Sequence, residues 1–184
     1  MAKKKRGSVK IPDARKLFIH AEGFRLTSDL LRAEVSAGKD IYLFAFHAND
    51  AFCCELFLKC LAAIRAREHP PGHKLDELFD ALPEPDQDRV EYHYERLSAS
   101  DPKHASAGSV SPSQSNSLRA VLKDGADLFE RIRYWYEGNF PHRRGDFKYP
   151  ILAIRETILE IHQHWTPNVE NWTKPKPSPR QKLK

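Results

Sequence analysis

The sequence predicts an all-α fold: an up-and-down helical bundle of four long helices plus two short peripheral ones. Three observations predict it. Apolar residues recur in steps of three and four over long stretches. No stretch shows the period of two that marks a half-buried strand. The chain has 184 residues, enough to bury one core without disulfides or metals.

Each element has its own signals. From Asp13 to Val35, the positions Ala14, Leu17, Ala21, Phe24, Ser28, Leu31 and Val35 line one helix face. Asp13 can cap that helix just after Pro12, and Gly38 follows its last apolar position as a stop. From Ile41 to Ala66 the apolar residues cover more than one face, as in a helix surrounded by others, so this segment is the expected centre of the core. His69-Pro70-Pro71-Gly72 must end it, because proline lacks the amide donor and restricts the residue before it.

Leu75, Leu78, Phe79 and Leu82 then predict a short amphipathic helix ending at Pro83, and Asp86 to Leu97 a second, more polar one; both read as peripheral. Residues 98–117 hold 8 serines in 20 positions and predict a flexible loop too polar to bury. Leu118, Leu122, Phe129, Ile132 and Tyr136 predict another long helix. After a connection over 138–150, Ile151, Ile154, Ile158, Ile161 and Trp165 predict the last one, closed by Pro167.

Charge divides the chain further. The net charge is +5, yet residues 1–10 and 174–184 each carry five Lys or Arg and no acid. Removing those ten cations from the 30 Lys and Arg leaves twenty against 25 Asp and Glu, so the body carries −5. The organisation is therefore a basic tail over 1–11, one helical domain over 12–166 and a basic, Pro-rich tail over 167–184. Such tails can hold RNA or other nucleic acid through counterion release, or serve as solvated ends.

Cys53, Cys54 and Cys60 are odd in number and crowded into one apolar segment, which points to a reducing, cytoplasmic setting and to buried thiols rather than redox chemistry. The longest nearly apolar run, Ile41 to Ala48, is too short to span a bilayer, so no membrane association is expected. His69 and His73 have a ligand-like spacing, but the Pro-Pro-Gly between or beside them destroys helical geometry; no metal site and no cofactor is expected.

Glu55 and Lys59 stand at i and i+4, acid before base, on the most apolar helix. Charges there need partners, and Arg133, Glu137 and His73 are the candidates. The group is either a fold-specifying ion network or a pocket that binds an anion or moves a proton. Tyr134, Trp135, Tyr136, Phe140 and Tyr149 interleave with arginines, and the loop around Arg143 and Arg144 is a candidate basic edge for single-stranded nucleic acid.

Three segments carry a family resemblance: Asn49-Asp50-Ala51-Phe52-Cys53-Cys54-Glu55-Leu56-Phe57-Leu58-Lys59-Cys60-Leu61, then Gly72-His73-Lys74-Leu75, and Phe129-Glu130-Arg131-Ile132-Arg133-Tyr134-Trp135-Tyr136-Glu137. Over roughly residues 13 to 165 the chain resembles the HEPN (higher eukaryotes and prokaryotes nucleotide-binding) superfamily, in particular an uncharacterised prokaryotic branch. The resemblance implies a helical bundle, often a homodimer, in a group that mixes metal-independent ribonucleases of toxin and antiphage systems with catalytically silent members. Its nuclease members carry Arg, four to six residues, then His. The nearest match here is Arg155 to His162, with six residues between them, which in one continuous helix would share a face about 10 Å apart along the axis. His162 would then be acid or base and Arg155 the phosphate clamp.

Three functions follow as expectations. The first is a nucleic-acid-related or defence-associated interaction module; the second is a metal-independent endoribonuclease using Arg155 and His162; the third is a structural subunit docking a partner protein.

Overall fold

The computed structural model describes residues 13–67, 70–101, 117–133 and 147–165. The fold is all-α, and no strand occurs among the described residues. Helix α1 (Ala14–Ser36) begins at Asp13, whose carboxylate accepts from the Lys16 amide at 3.2 Å, and stops at Ala37, one residue before Gly38. A short connection with a 3-10 turn (Asp40–Tyr42) leads into α2 (Leu43–Ala66). Arg67 closes α2 in the left-handed region at φ 55, so the helix ends before the prolines are reached. The turn that follows uses Gly72 at φ 97, a conformation glycine adopts without strain.

Helices α1 and α2 form the closest pair and run antiparallel. The Cys60 thiol donates to the Ala14 carbonyl at 3.2 Å, and the Cys53 thiol to the Ala21 carbonyl at 3.3 Å. Both partners advance by seven residues in opposite directions, two turns on each helix, so small alanines on α1 face cysteines on α2 and the backbones approach closely. The buried side chains of α1 are Phe18, Ala21, Glu22 and Ser28. The apolar stripe is thus rotated from the predicted face, with Leu17 and Phe24 only partly buried and Phe18 at the centre, its ring edge-on to Phe57 at 5.7 Å.

Helix α2 is the centre, as its apolar pattern predicts: Phe57, Leu58, Leu61 and its three cysteines are all fully enclosed. Residues 40–66 together are long and apolar enough to cross a membrane, with a mean hydropathy of 1.2 over the best window. The 41–48 run is one part of that longer apolar segment. Half of that window is buried by the other helices, an environment that meets the same apolar demand.

Helix α3 (Leu75–Asp80) is too short to persist alone. It buries Leu75, Leu78 and Phe79, worth about 1.5–3 kcal/mol each, and is held by packing rather than by propensity. Helix α4 (Glu84–Ala99) departs from its predicted peripheral role. It is four turns long and packs along the last helix, α7 (Lys148–Ile161), as the second most extensive helix pair. Its period is hard to read because the buried positions include Asp86 and His93 beside Val90 and Tyr94.

The long helix predicted over 118–136 is also corrected. Its first part is two short helices, α5 (Leu118–Asp124), capped by Ser117, and α6 (Leu128–Arg133). The break falls at Gly125, where the Phe147 ring packs so closely that a Cβ would stand 1.9 Å from its Cζ. Helix α7 starts earlier than predicted, taking Pro150 into its first turn, where a missing amide donor costs nothing. It also ends earlier: Ile161 is its last residue, His162 caps it at φ −130, ψ 69, and Gln163–Trp165 form a 3-10 turn.

Two glycines give a paired test. Gly125→Ala must displace the buried Phe147 ring and is expected to lower unfolding free energy by about 1–3 kcal/mol. Gly23→Ala, in the interior of α1 with nothing within 4 Å of the new methyl, is expected to raise it by about 1 kcal/mol. Urea unfolding of the two variants checks both signs.

Candidate functional site

Burying a carboxylate requires cations, and the described core holds four such carboxylates. Glu22, on α1, has no exposed surface. It receives Arg25 from one turn later, with Nε at 3.2 Å and Nη2 at 3.3 Å, and Arg155 from α7, with Nε at 2.5 Å. Arg25 continues to Asp29 at 2.8 Å. Arg155, the candidate phosphate clamp, is thereby engaged by a fully buried carboxylate and bridges α1 to α7.

His162, its candidate partner, is the C-cap of α7: its amide still bonds the Ile158 carbonyl at 2.9 Å, while its own φ −130 and ψ 69 leave the helix. Its ring stacks on Trp165, with centroids 4.1 Å apart and planes 9° apart, while Trp165 packs on Phe18. Burial, followed by the neighbouring charges of His164 and Arg65, lowers the His162 pKa from its ordinary 6.5. A lowered pKa favours the uncharged ring, which accepts a proton more readily than it holds one.

The second candidate group assembles around Glu55. Lys59 donates to its Oε1 at 2.7 Å, and His73 Nδ1 stands 2.9 Å from the same oxygen. Glu55 and Lys59 are largely enclosed, whereas His73 is 60% exposed. The group ties the loop after α2 to the helix itself, with an imidazole facing solvent. The Arg133 side chain and the residues Glu137, Arg143 and Arg144 lie outside the described residues, as do Tyr134, Trp135, Tyr136 and Phe140.

Several charged sites escape a reading by motif. On α4, His93 is buried between two glutamates one turn apart on α7, with Nδ1 3.1 Å from Glu156 and Nε2 3.1 Å from Glu160. Arg89 pairs with Glu160 at 2.5 Å and Arg96 with Glu156, so two arginines, two glutamates and the His93 ring join the two helices along an open cleft of about 480 Å³. Burial raises the Glu160 pKa, but the hydrogen bond from Arg89 and the adjacent His93 ring outweigh it and hold the carboxyl below its usual range. Asp86 is held by Arg65 through Nε at 2.8 Å and Nη2 at 2.6 Å, joining α4 to the end of α2. Asp50 accepts from Arg32 at 3.3 Å, joining α2 to α1.

The one sequence signal for Glu22 is its place four residues after Phe18, a charged residue on the core stripe once that stripe is centred correctly. His93 has no such signal, because its partners lie far along the chain. Among the described residues, no group of three or more His, Cys, Asp or Glu is placed to hold a metal ion. The thiols offer no nucleophile: burial pushes Cys60 up to about 12 and raises Cys53 and Cys54 as well.

Comparison with family models, curated proteins and solved structures finds no match to this chain. The functional reading therefore rests on the residues and their geometry.

Two outcomes test the site. Glu22→Gln leaves two arginines facing a neutral amide, and a loss of about 3 kcal/mol or more is expected in urea unfolding. A loss no larger than that of a surface substitution would show that the bridge carries no structural weight. In an NMR titration, the His162 ring resonances should move with a midpoint below 6.5. A midpoint at or above that value would mean the ring is solvated rather than stacked on Trp165.

Proposed function

We propose that this chain is a HEPN-like helical interaction module without catalytic activity, a homodimer that engages RNA or another polyanion through its two basic ends. One observation supports module over nuclease: the Arg155 guanidinium is bound to a carboxylate with no exposed surface. A phosphate clamp must offer its charge to the substrate, and here that charge is already compensated inside the fold. The stacking of His162 on Trp165 and its lowered pKa add to this, since ribonuclease chemistry needs a proton held ready for the leaving oxygen as well as a base.

The binding half of the proposal rests on charge segregation. Ten cations without an acid sit in residues 1–10 and 174–184, outside a body of net charge −5. Neutralised phosphates release counterions, so each contact adds to the salt dependence of binding while reading no sequence. The acidic body repels the same ligand and leaves the ends as the contact. The homodimer part draws support from Leu30, within α1, and Ile41, in the 3-10 turn before α2, which are 72% and 83% exposed and would be covered by a second apolar surface. Sedimentation at the monomer mass would remove that part.

The decisive experiment uses labelled RNA in EDTA with the intact chain, with a His162→Ala variant, and with a chain lacking residues 1–10 and 174–184. No cleavage is expected from any of them. The intact chain should bind RNA with a steep salt dependence, and the truncated chain should lose most of that slope. Cleavage by the intact chain that disappears in His162→Ala would replace the module reading with the endoribonuclease. An unchanged slope after truncation would remove the tails from the binding surface.

A further inference from the structure

Helix α1 buries one side only. At about 100° per residue, Ile19, Gly23, Leu26 and Leu30 fall within about 60° of arc on the side opposite the buried Ala21 and Ser28. Leu30 is 72% exposed, and among the described residues none of Ile19, Leu26 and Leu30 packs against the core. Apolar residues at intervals of four, three and four are the pattern by which one helix meets another. Gly23 stands in the middle of the row, with nothing within 4 Å of the position its Cβ would take. It floors an open groove of about 500 Å³ lined by Ile19, His20, Phe24 and Thr27. The Thr27 hydroxyl is already bonded to the Gly23 carbonyl at 2.9 Å, which leaves the groove wall largely apolar.

The row is complementary to itself. Ile19 with Leu30, Gly23 with Leu26, and Lys16 with Glu34 are pairs that share a midpoint close to Arg25. Lys16 and Glu34 stand about five turns apart, so both flank the row on the same side. A second copy turned about a two-fold axis at that level, with its α1 antiparallel, places its Leu26 over Gly23, its Leu30 against Ile19 and its Glu34 beside Lys16. By symmetry each contact is made twice.

Charge selects this direction. With their neighbours counted, Asp13, Arg15 and Lys16 leave the start of α1 at +1, and Glu34, Lys39 and Asp40 leave its end at −1. Between these ends, Glu22 and Asp29 balance Arg25 and Arg155. Lys16 stands 3.5 Å from Asp13, and Glu34 pairs with Lys39; both pairs are exposed, so they are weak and can share a new neighbour. A parallel copy would set like ends together, each start preceded by the five cations of residues 1–10. We propose that α1 is the homodimer interface, an antiparallel helix pair in which Leu26 of each copy seats on Gly23 of the other. This rests on the homodimer reading above and gives it a face and a direction.

Sedimentation equilibrium of the full chain without RNA, over a range of concentrations, reads the dimer dissociation constant, and circular dichroism checks that each variant keeps its helices. Leu30→Arg, at a position already exposed, should raise the constant at least about tenfold. Gly23→Leu should do the same, although it adds apolar surface and helix propensity, because it fills the seat of Leu26. Lys16→Glu or Glu34→Lys alone should weaken the dimer about threefold, and the two together, which restore opposite charges across the pair, should return it to near the wild-type value. A wild-type chain at the monomer mass would overturn the homodimer reading and this interface with it. A wild-type dimer left unchanged by Leu30→Arg and Gly23→Leu would overturn this interface alone and move the homodimer to another face. Tighter association in Gly23→Leu would overturn it as well, since an adhesive apolar patch gains from added surface and a fitted seat does not. Equal weakening in the single and double charge variants would overturn the antiparallel direction.

Discussion

An ionised carboxylate cannot be enclosed among helices unless a cation is enclosed with it, and that requirement organises this bundle. Glu22, Asp50, Glu55 and Asp86 are each at least 97% buried, and each meets an Arg or Lys. Three of these pairs join different helices: Glu22 to Arg155 links α1 with α7, Asp50 to Arg32 links α2 with α1, and Asp86 to Arg65 links α4 with α2. Glu55 and His73 pin the following loop. Apolar packing alone tolerates sliding and rotation of helices, whereas a buried pair is satisfied in one register. The greasy centre of α2 supplies the driving force, and the charges select among the arrangements that would satisfy it.

This division explains what the sequence discloses. Helices α1 and α2 are legible because their apolar residues repeat at the helical period and their ends carry local signals, Asp13 at one and Gly38 at another. Helix α4 is legible as a helix and illegible as a core element, because His93, Arg89 and Arg96 make its contact with α7 through Glu156 and Glu160. Hydrophobic periodicity cannot register an interface made of ions. The interruption at Gly125 is hidden for another reason: it depends on Phe147, more than twenty residues away in sequence. Long-range packing overrides a locally sound helical pattern there.

The candidate chemistry divides in the same way. Spacing brings Glu55 and Lys59 to attention, and the fold adds His73 to them at 2.9 Å. Spacing also selects Arg155, inside α7, and His162, at its C-cap. Each side chain acquires a partner from elsewhere, Glu22 for one and Trp165 for the other. An Arg-to-His interval thus fixes where two side chains are attached and not what each of them meets.

The thiols that face α1 have a further consequence. Cys53 and Cys60 are seven residues apart on one rigid helix, about 10 Å along its axis, a span no disulfide can bridge. Both sulfurs hold their protons as donors to backbone carbonyls, and burial keeps them from ionising. These cysteines are chemical spectators. An oxidising medium would find them sealed and mutually out of reach, so the bundle's integrity is uncoupled from the redox potential around it.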